Sequence, residues 1–238
     1  MNTPYVTLDV WRTRPARLPA VLWRMARDRV RLRRVPGVRF AKLLGTGRGS
    51  RFGPARADPR RWAALIVWDD PTAAARPDPV RAGWQRLADG HCRLALRPLT
   101  SRGRWAGQEP FEPVGEPPTA RDQGPVLVLT RARLNPRRAV AFWRAIGPVA
   151  AELDASGGVL AAFGIGEAPL GWQGTVSVWK TTSDLVRFAY RQPGHRRAIE
   201  RTDSLGWYDE ELFARFAILD VTGDRTVIGW RDGEAPTR

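Results

Sequence analysis

The sequence predicts an α+β fold in which two tandem ferredoxin-like β-α-β-β-α-β repeats close into an α/β barrel within one chain. Three observations predict it. Strand-like and helix-like segments recur in the same order in the two halves, and a Pro/Gly-rich stretch separates them. The 238 residues, 43% of them hydrophobic, supply a core large enough for both. A four-stranded antiparallel sheet with helices on one face leaves its other face bare, and a second copy can cover it. Helices then lie outside, with a cavity expected either between sheet and helices or inside the barrel.

Tyr5–Trp11 (YVTLDVW) and Val126–Ala132 (VLVLTRA) open the two repeats as short β-rich segments. Helical stretches follow, with Trp23 matched to Trp143. In the second copy Ala139, Phe142, Trp143, Ile146, Val149, Ala150 and Leu153 recur along one face of an amphipathic helix. Val38–Gly47 and Val159–Gly166 come next, each ending in Gly-x-Gly at an offset of 119. Trp62–Trp68 and Thr175–Trp179 read as strands ending in Val-Trp, each followed by a polar turn, DDPT or KTTS, suited to capping a helix. Strands beginning at Cys92 and Ala214 close the copies. The expected organisation is a first repeat over 1–101, a linker or extended strap over 102–124, a second repeat over 125–222 and a tail over 223–238.

The formal net charge is +15, and of 39 basic residues only Lys42 and Lys180 are lysines. Such a chain is drawn to polyanions. No RNP-type aromatic run, Cys/His finger or basic region with heptads is present, so no specific nucleic-acid partner is expected. Peripheral association with a membrane stays open, as does the choice between monomer and homodimer. The one cysteine, Cys92, excludes an internal disulfide and a Cys-rich zinc site. No stretch is apolar for long enough to span a bilayer, and MNTPYVTLDV lacks a secretory pattern, so a cytoplasmic protein is expected.

The copies diverge in two places. The first carries extra residues in an arginine-rich loop, Arg48–Arg61. The second carries about 11 extra in the span FAYRQPGHRRAIERTDSLGWYDEELF, which points to the second half as the specialised one. That span holds His195, which follows Pro193-Gly194 at a potential helix start. There it could ligate a metal, act as a base or cap the helix. The other histidine, His91, precedes the closing strand of the first copy, opposite Phe213 of the second, and reads as a strand-edge residue.

Gly45-Thr46-Gly47-Arg48-Gly49 has no helix opening directly behind it and reads as a turn, not a dinucleotide fingerprint. No G-x-S-x-G elbow and no H-E-x-x-H is present, and two histidines cannot build a three-His metal centre. One histidine suffices for haem of the b type, whose iron needs a single proximal ligand. Lys42 and arginines such as Arg196 are then candidates for its propionates.

VRFAKLLGTGRG, WAALIVWDD, the strap around EPFEPV and FAYR…GHRRAIER…WYDEELFARFAIL together resemble the spheroidene monooxygenase family. The resemblance runs from about Thr7 to Asp220, and the last motif is its most specific part. The chain also looks like the broader dimeric α/β-barrel superfamily, which includes antibiotic-synthesis monooxygenases, chlorite dismutases and haem-degrading enzymes. The resemblance implies a haem-dependent monooxygenase acting on an apolar small molecule of the acyclic carotenoid type, served by an electron donor. It implies His195 as the axial iron ligand, with Tyr190 as the alternative. Arg187 and Arg191 are the candidates to stabilise charge developing on oxygen. Two rivals accompany this reading: a cofactor-free barrel oxygenase acting on a phenol or quinol, and a non-catalytic barrel that binds a small ligand.

Overall fold

The computed structural model describes residues 5–49, 57–113, 124–134, 153, 156–167, 172–191 and 208–231. Eight strands form one closed antiparallel barrel in the order β1-β3-β2-β6-β7-β5-β8-β4. The first half supplies β1 (Tyr5–Thr13), β2 (Val38–Gly47), β3 (Ala57–Trp68) and β4 (Ala88–Gly103). The second supplies β5 (Val126–Leu134), β6 (Val159–Gly166), β7 (Trp172–Trp179) and β8 (Tyr208–Gly223). Within each half the strands run 4-1-3-2, the ferredoxin-like order, so the fold is the tandem in-chain barrel that the sequence predicts.

Helices lie outside. In the first half α1 (Leu18–Leu32) follows β1, while α2 (Pro71–Ala75) and α3 (Pro79–Gln85) follow β3; in the second, α4 (Thr182–Arg191) follows β7. The two polar turns cap as expected. Asp70 accepts from the Ala73 N–H at 2.8 Å. Thr181 accepts from the Asp184 N–H at 3.1 Å while its hydroxyl donates back to the Asp184 carboxylate at 2.8 Å. The helix expected over Ala139–Leu153 lies outside the described residues, apart from Leu153 itself.

Two seams join the halves. β2 and β6 meet over one short stretch, Gly45 opposite Gly166 and Thr46 opposite Ile165. β4 and β8 pair along most of their length, from Cys92 opposite Gly223 to Gly103 opposite Leu212. These registers show that Gly45 and Gly166 are equivalent positions. The two Gly-x-Gly motifs are therefore two residues out of step as scaffold, because their offset on the sequence ignores where each strand pairs.

Gly103 and Gly223 are a second equivalent pair, each ending the last strand of its half. Both have positive φ, +92° and +89°. A Cβ at Gly103 would lie 2.2 Å from the Glu211 carbonyl oxygen, and one at Gly223 would lie 2.2 Å from that of His91. Only glycine fits such an approach. The next N–H in each case, Arg104 or Asp224, donates to that same carbonyl.

Past each glycine the chain turns over one end of the barrel. Beyond Gly103 it buries Trp105 and Phe111 in the interior; beyond Gly223 a 3-10 turn, Arg225–Ile228, buries Val227 and Ile228 there. The expected strap is thus partly strand, since β4 runs to Gly103, and partly a plug. Alternate residues such as Val6, Leu8 and Val10 of β1 and Leu212, Ala214 and Phe216 of β8 fill the rest of the interior. The described side chains occupy the barrel as core.

Two further differences follow from strand length. β3 begins at Ala57, so the expected loop 48–61 gives its last residues to the sheet. β4 begins at Ala88, so His91 lies within a strand, where its register matches Glu211 of β8 in place of Phe213.

Candidate functional site

The outer faces of the two half-sheets differ in volume. Tyr5 lies opposite Trp68 in the first half and Val126 opposite Trp179 in the second, which sets the equivalences. Stepping along the same ladders, Trp11 is matched by Ala132, Leu43 by Gly164 and Ile66 by Ser177. In the first half these three large residues pack with Val21 and Met25 of α1 and Trp84 of α3. Trp11 stacks on Trp84 at 5.3 Å between ring centres.

The second half puts alanine, glycine and serine at the same places. Thr175 and Ser177 are nevertheless buried, so the face is covered. At one end it is closed by Trp179, against which α4 packs Leu185 and Phe188, with the Trp179 and Phe188 rings 5.1 Å apart. At these three positions the outward side chains of the second half-sheet are thus smaller than their counterparts in the first.

Inside the barrel lies a compact ionic cluster. The Lys42 ammonium sits 2.7 Å from Glu167 Oε2. Glu167 Oε1 accepts from the Trp105 indole at 2.5 Å and lies 3.3 Å from the Arg131 guanidinium. Arg131 also pairs with Glu210, which accepts from the N–H groups of Ala106 and Gly107 at 3.0 and 2.7 Å. Lys42, Arg131 and Glu210 occupy inward positions on β2, β5 and β8, and Glu167 follows β6. Two positive and two negative side chains balance, as burial of charge requires. Burial pushes the Glu210 carboxyl up, but the Gly107 N–H, the Arg131 guanidinium and the Ala106 N–H outweigh it and hold the group below its ordinary value.

Of the sequence-predicted site residues, Lys42 thus lies inside the barrel, paired with Glu167. Arg187 lies outside it on α4, largely exposed and 3.0 Å from Asp184. Tyr190 and Arg191 end α4, with side chains outside the described residues, and His195 and Arg196 lie wholly outside them. Lys42 and Arg187 are therefore on opposite faces of the sheet. His91 is held elsewhere, its Nε2 2.8 Å from Asp9 and its ring stacked on Trp11. Among the described residues no group of three or more His, Cys, Asp or Glu could hold a metal ion. A cleft of about 170 Å³ opens where the strap crosses Phe40, lined also by Arg39, Gln108 and Glu109.

Sequence reasoning missed Arg131, Glu210, Glu167 and Trp105. Charge at inward positions of β5 and β8 was the available signal for Arg131 and Glu210; Glu167 and Trp105 lie beyond strand ends, and only the tertiary structure shows that all four share one interior.

A closed barrel of two ferredoxin-like halves in one chain, with helices outside, defines a class, the in-chain α/β barrels. Two solved structures of aldoxime dehydratase share this fold. One has a TM-score of 0.60 at 15% identity, covering 92% of this chain and 80% of that one; the other has 0.59 at 14%, covering 92% and 82%. No family profile matches the chain. Curated relatives do. It is 36% identical over 211 residues to spheroidene monooxygenase of Rhodobacter capsulatus, covering 87% of this chain and 86% of that protein. It is 38% identical over 192 residues to that of Rubrivivax gelatinosus, covering 79% and 72%. To that of Cereibacter sphaeroides it is 33% identical over 207 residues, covering 85% of this chain and 63% of that longer protein. The chain belongs to the spheroidene monooxygenase family.

Proposed function

We propose that this protein is a haem-dependent monooxygenase that oxidises an apolar polyene of the acyclic carotenoid type, with its site between the second half-sheet and the helices outside it. The observation that carries the location is the replacement of Trp11, Leu43 and Ile66 by Ala132, Gly164 and Ser177 at equivalent positions. A filled barrel interior favours the same side of the sheet. The relatives' name, spheroidene monooxygenase, supports the substrate class.

Haem fits the donor chemistry of this half. His91 is committed to Asp9 in the other half, so His195 is the histidine that would hold the haem iron. Arg196 is the proposed partner for a propionate, since Lys42 already has a carboxylate partner inside the barrel. When bound, haem supplies activation of dioxygen. One oxygen atom enters the substrate and the other leaves as water, which takes two protons and two electrons from a donor. The protein's own residues orient the polyene against an apolar wall formed by Trp179 and Phe188. Arg191, and Arg187 once released from Asp184, would stabilise negative charge on oxygen, and Tyr190 would be the alternative to His195 in holding the iron.

The test is the absorption spectrum of protein expressed with a haem precursor, before and after dithionite and carbon monoxide. A Soret band that shifts on reduction and is altered in His195→Ala is expected. A featureless spectrum at stoichiometric haem overturns the cofactor, and oxidation of a phenol or quinol by that colourless protein would establish a cofactor-free oxygenase instead.

A further inference from the structure

Helix α1 has two apolar faces, and the fold uses one. Val21, Met25 and Leu32 are buried against the sheet. On the far side Leu22, Trp23 and Val30 are 52%, 58% and 54% exposed. With Pro19 and Ala26, also exposed, they follow helical spacing along one outer stripe. Scattered apolar residues on a surface are ordinary; three large ones aligned on one helix face are not.

The surroundings of the stripe are cationic. Between Arg14 and Arg34 the sequence has eight arginines and one acidic residue, Asp28. Asp28 is fully buried and already paired with Arg24 and Arg27 at 3.0 and 2.8 Å, so it offers the surface no negative charge. The Arg27 guanidinium lies 4.0 Å over the Trp23 ring, placing a cation directly beside the apolar stripe. Among the described residues no helix is long and apolar enough to cross a membrane, so any lipid contact made by this helix is parallel to a bilayer surface.

We propose that the outer face of α1 is a docking surface for an anionic lipid bilayer, with Leu22, Trp23 and Val30 entering the interface and the flanking arginines meeting lipid phosphates. An exposed apolar stripe edged by arginine suits an interfacial helix. A second copy of the chain would bring the same arginines against one another. Nucleic acid would satisfy the arginines and leave the three apolar side chains in water. The surface is independent of the cofactor and substrate proposed above, and its test needs no turnover.

The experiment is co-sedimentation of the full chain with phosphatidylcholine vesicles, with and without phosphatidylglycerol. The wild type is expected to bind the anionic vesicles. The variant Leu22→Gln/Trp23→Gln/Val30→Gln, which keeps every charge, is expected to bind them at least about tenfold more weakly. Leu219→Gln, which removes an equally exposed leucine on β8, is expected to bind like wild type. Thermal unfolding confirms that the triple variant is folded, and Trp23→Gln alone is read if it is not. Equal binding by wild type and triple variant overturns the proposal, since the charge alone would then suffice. No vesicle binding overturns it too. A fall from dimer to monomer in the triple variant, seen by light scattering, overturns it in favour of a second copy. Duplex DNA binding that exceeds vesicle binding overturns it in favour of nucleic acid.

Discussion

Lys42 and Glu167, 125 residues apart in the chain, meet inside the barrel at 2.7 Å. Each belongs to a different half, so the contact spans the short β2–β6 seam where few backbone pairs hold the halves together. Removing one partner of a buried pair leaves the other uncompensated, which typically costs about 3–5 kcal/mol. Lys42→Met and Glu167→Gln are each expected to destabilise by roughly that amount in urea unfolding. The double variant is expected to lose less than the sum, because the two share one interaction.

Trp105 is fully buried, and its indole donates to Glu167. Trp105→Ala opens a cavity in the barrel and frees the strap, at an expected cost of about 3–5 kcal/mol. Trp105→Phe keeps most of the volume and loses only the indole hydrogen bond, so it is expected to cost less. The two denaturation midpoints separate filling from hydrogen bonding.

Gly103 and Gly223 predict matching losses. An alanine at either must adopt a left-handed backbone and push its Cβ into a carbonyl oxygen. The conformational part alone is about 1–2 kcal/mol, and the clash adds to it. Gly103→Ala and Gly223→Ala are each expected to lower the melting temperature clearly, whereas Gly49→Ala, with open space around it, is expected to show only the conformational part.

Asp78 caps α3 through the Val80 N–H at 2.8 Å, yet burial raises its carboxyl above the ordinary aspartate value despite that bond. Its charged form is therefore disfavoured by folding. The penalty is absent below the unfolded value, grows as pH rises toward the folded one, and is complete above that. Asp78→Asn keeps an acceptor for the cap without the charge, so it is expected to be neutral or stabilising at neutral pH. Glu210 runs the other way. Its lowered carboxyl contributes stability above the unfolded value of about 4.3, and that contribution is lost as pH falls through the folded one. Stability curves of Asp78→Asn and Glu210→Gln against pH check both signs.

Cys92 is fully buried in the barrel, and burial pushes its thiol up to about 12. The thiolate is the reactive species. Iodoacetamide at pH 8 is expected to leave the native protein unmodified and to label it once unfolded, as read by mass spectrometry.

Ser177→Ile restores in the second half what Ile66 provides in the first. It is expected to fill the proposed site and to abolish Soret development or polyene oxidation while the chain stays folded, apart from the hydrogen bond that Trp179 donates to Ser177.

The sequence by itself determined the duplication, the order of the eight strands and the caps, because these rest on local periodicity and turn chemistry. VRFAKLLGTG and VLAAFGIG read as strands and are strands, and DDPT and KTTS read as caps and act as caps. It also pointed, through the extra span from Phe188 to Phe213, to the second half as the place to look for specialisation. Only the tertiary structure decided which residues are equivalent, since pairing across β2–β6 and β4–β8 sets the register, and that register matches Gly45 with Gly166 and His91 with Glu211. Only it showed that Trp105 leaves an apparent linker to plug the barrel, and that Lys42 faces a carboxylate from the other half. The physical reason is that a strand's alternation tells which residues share a face, whereas closure of the barrel decides what each face meets.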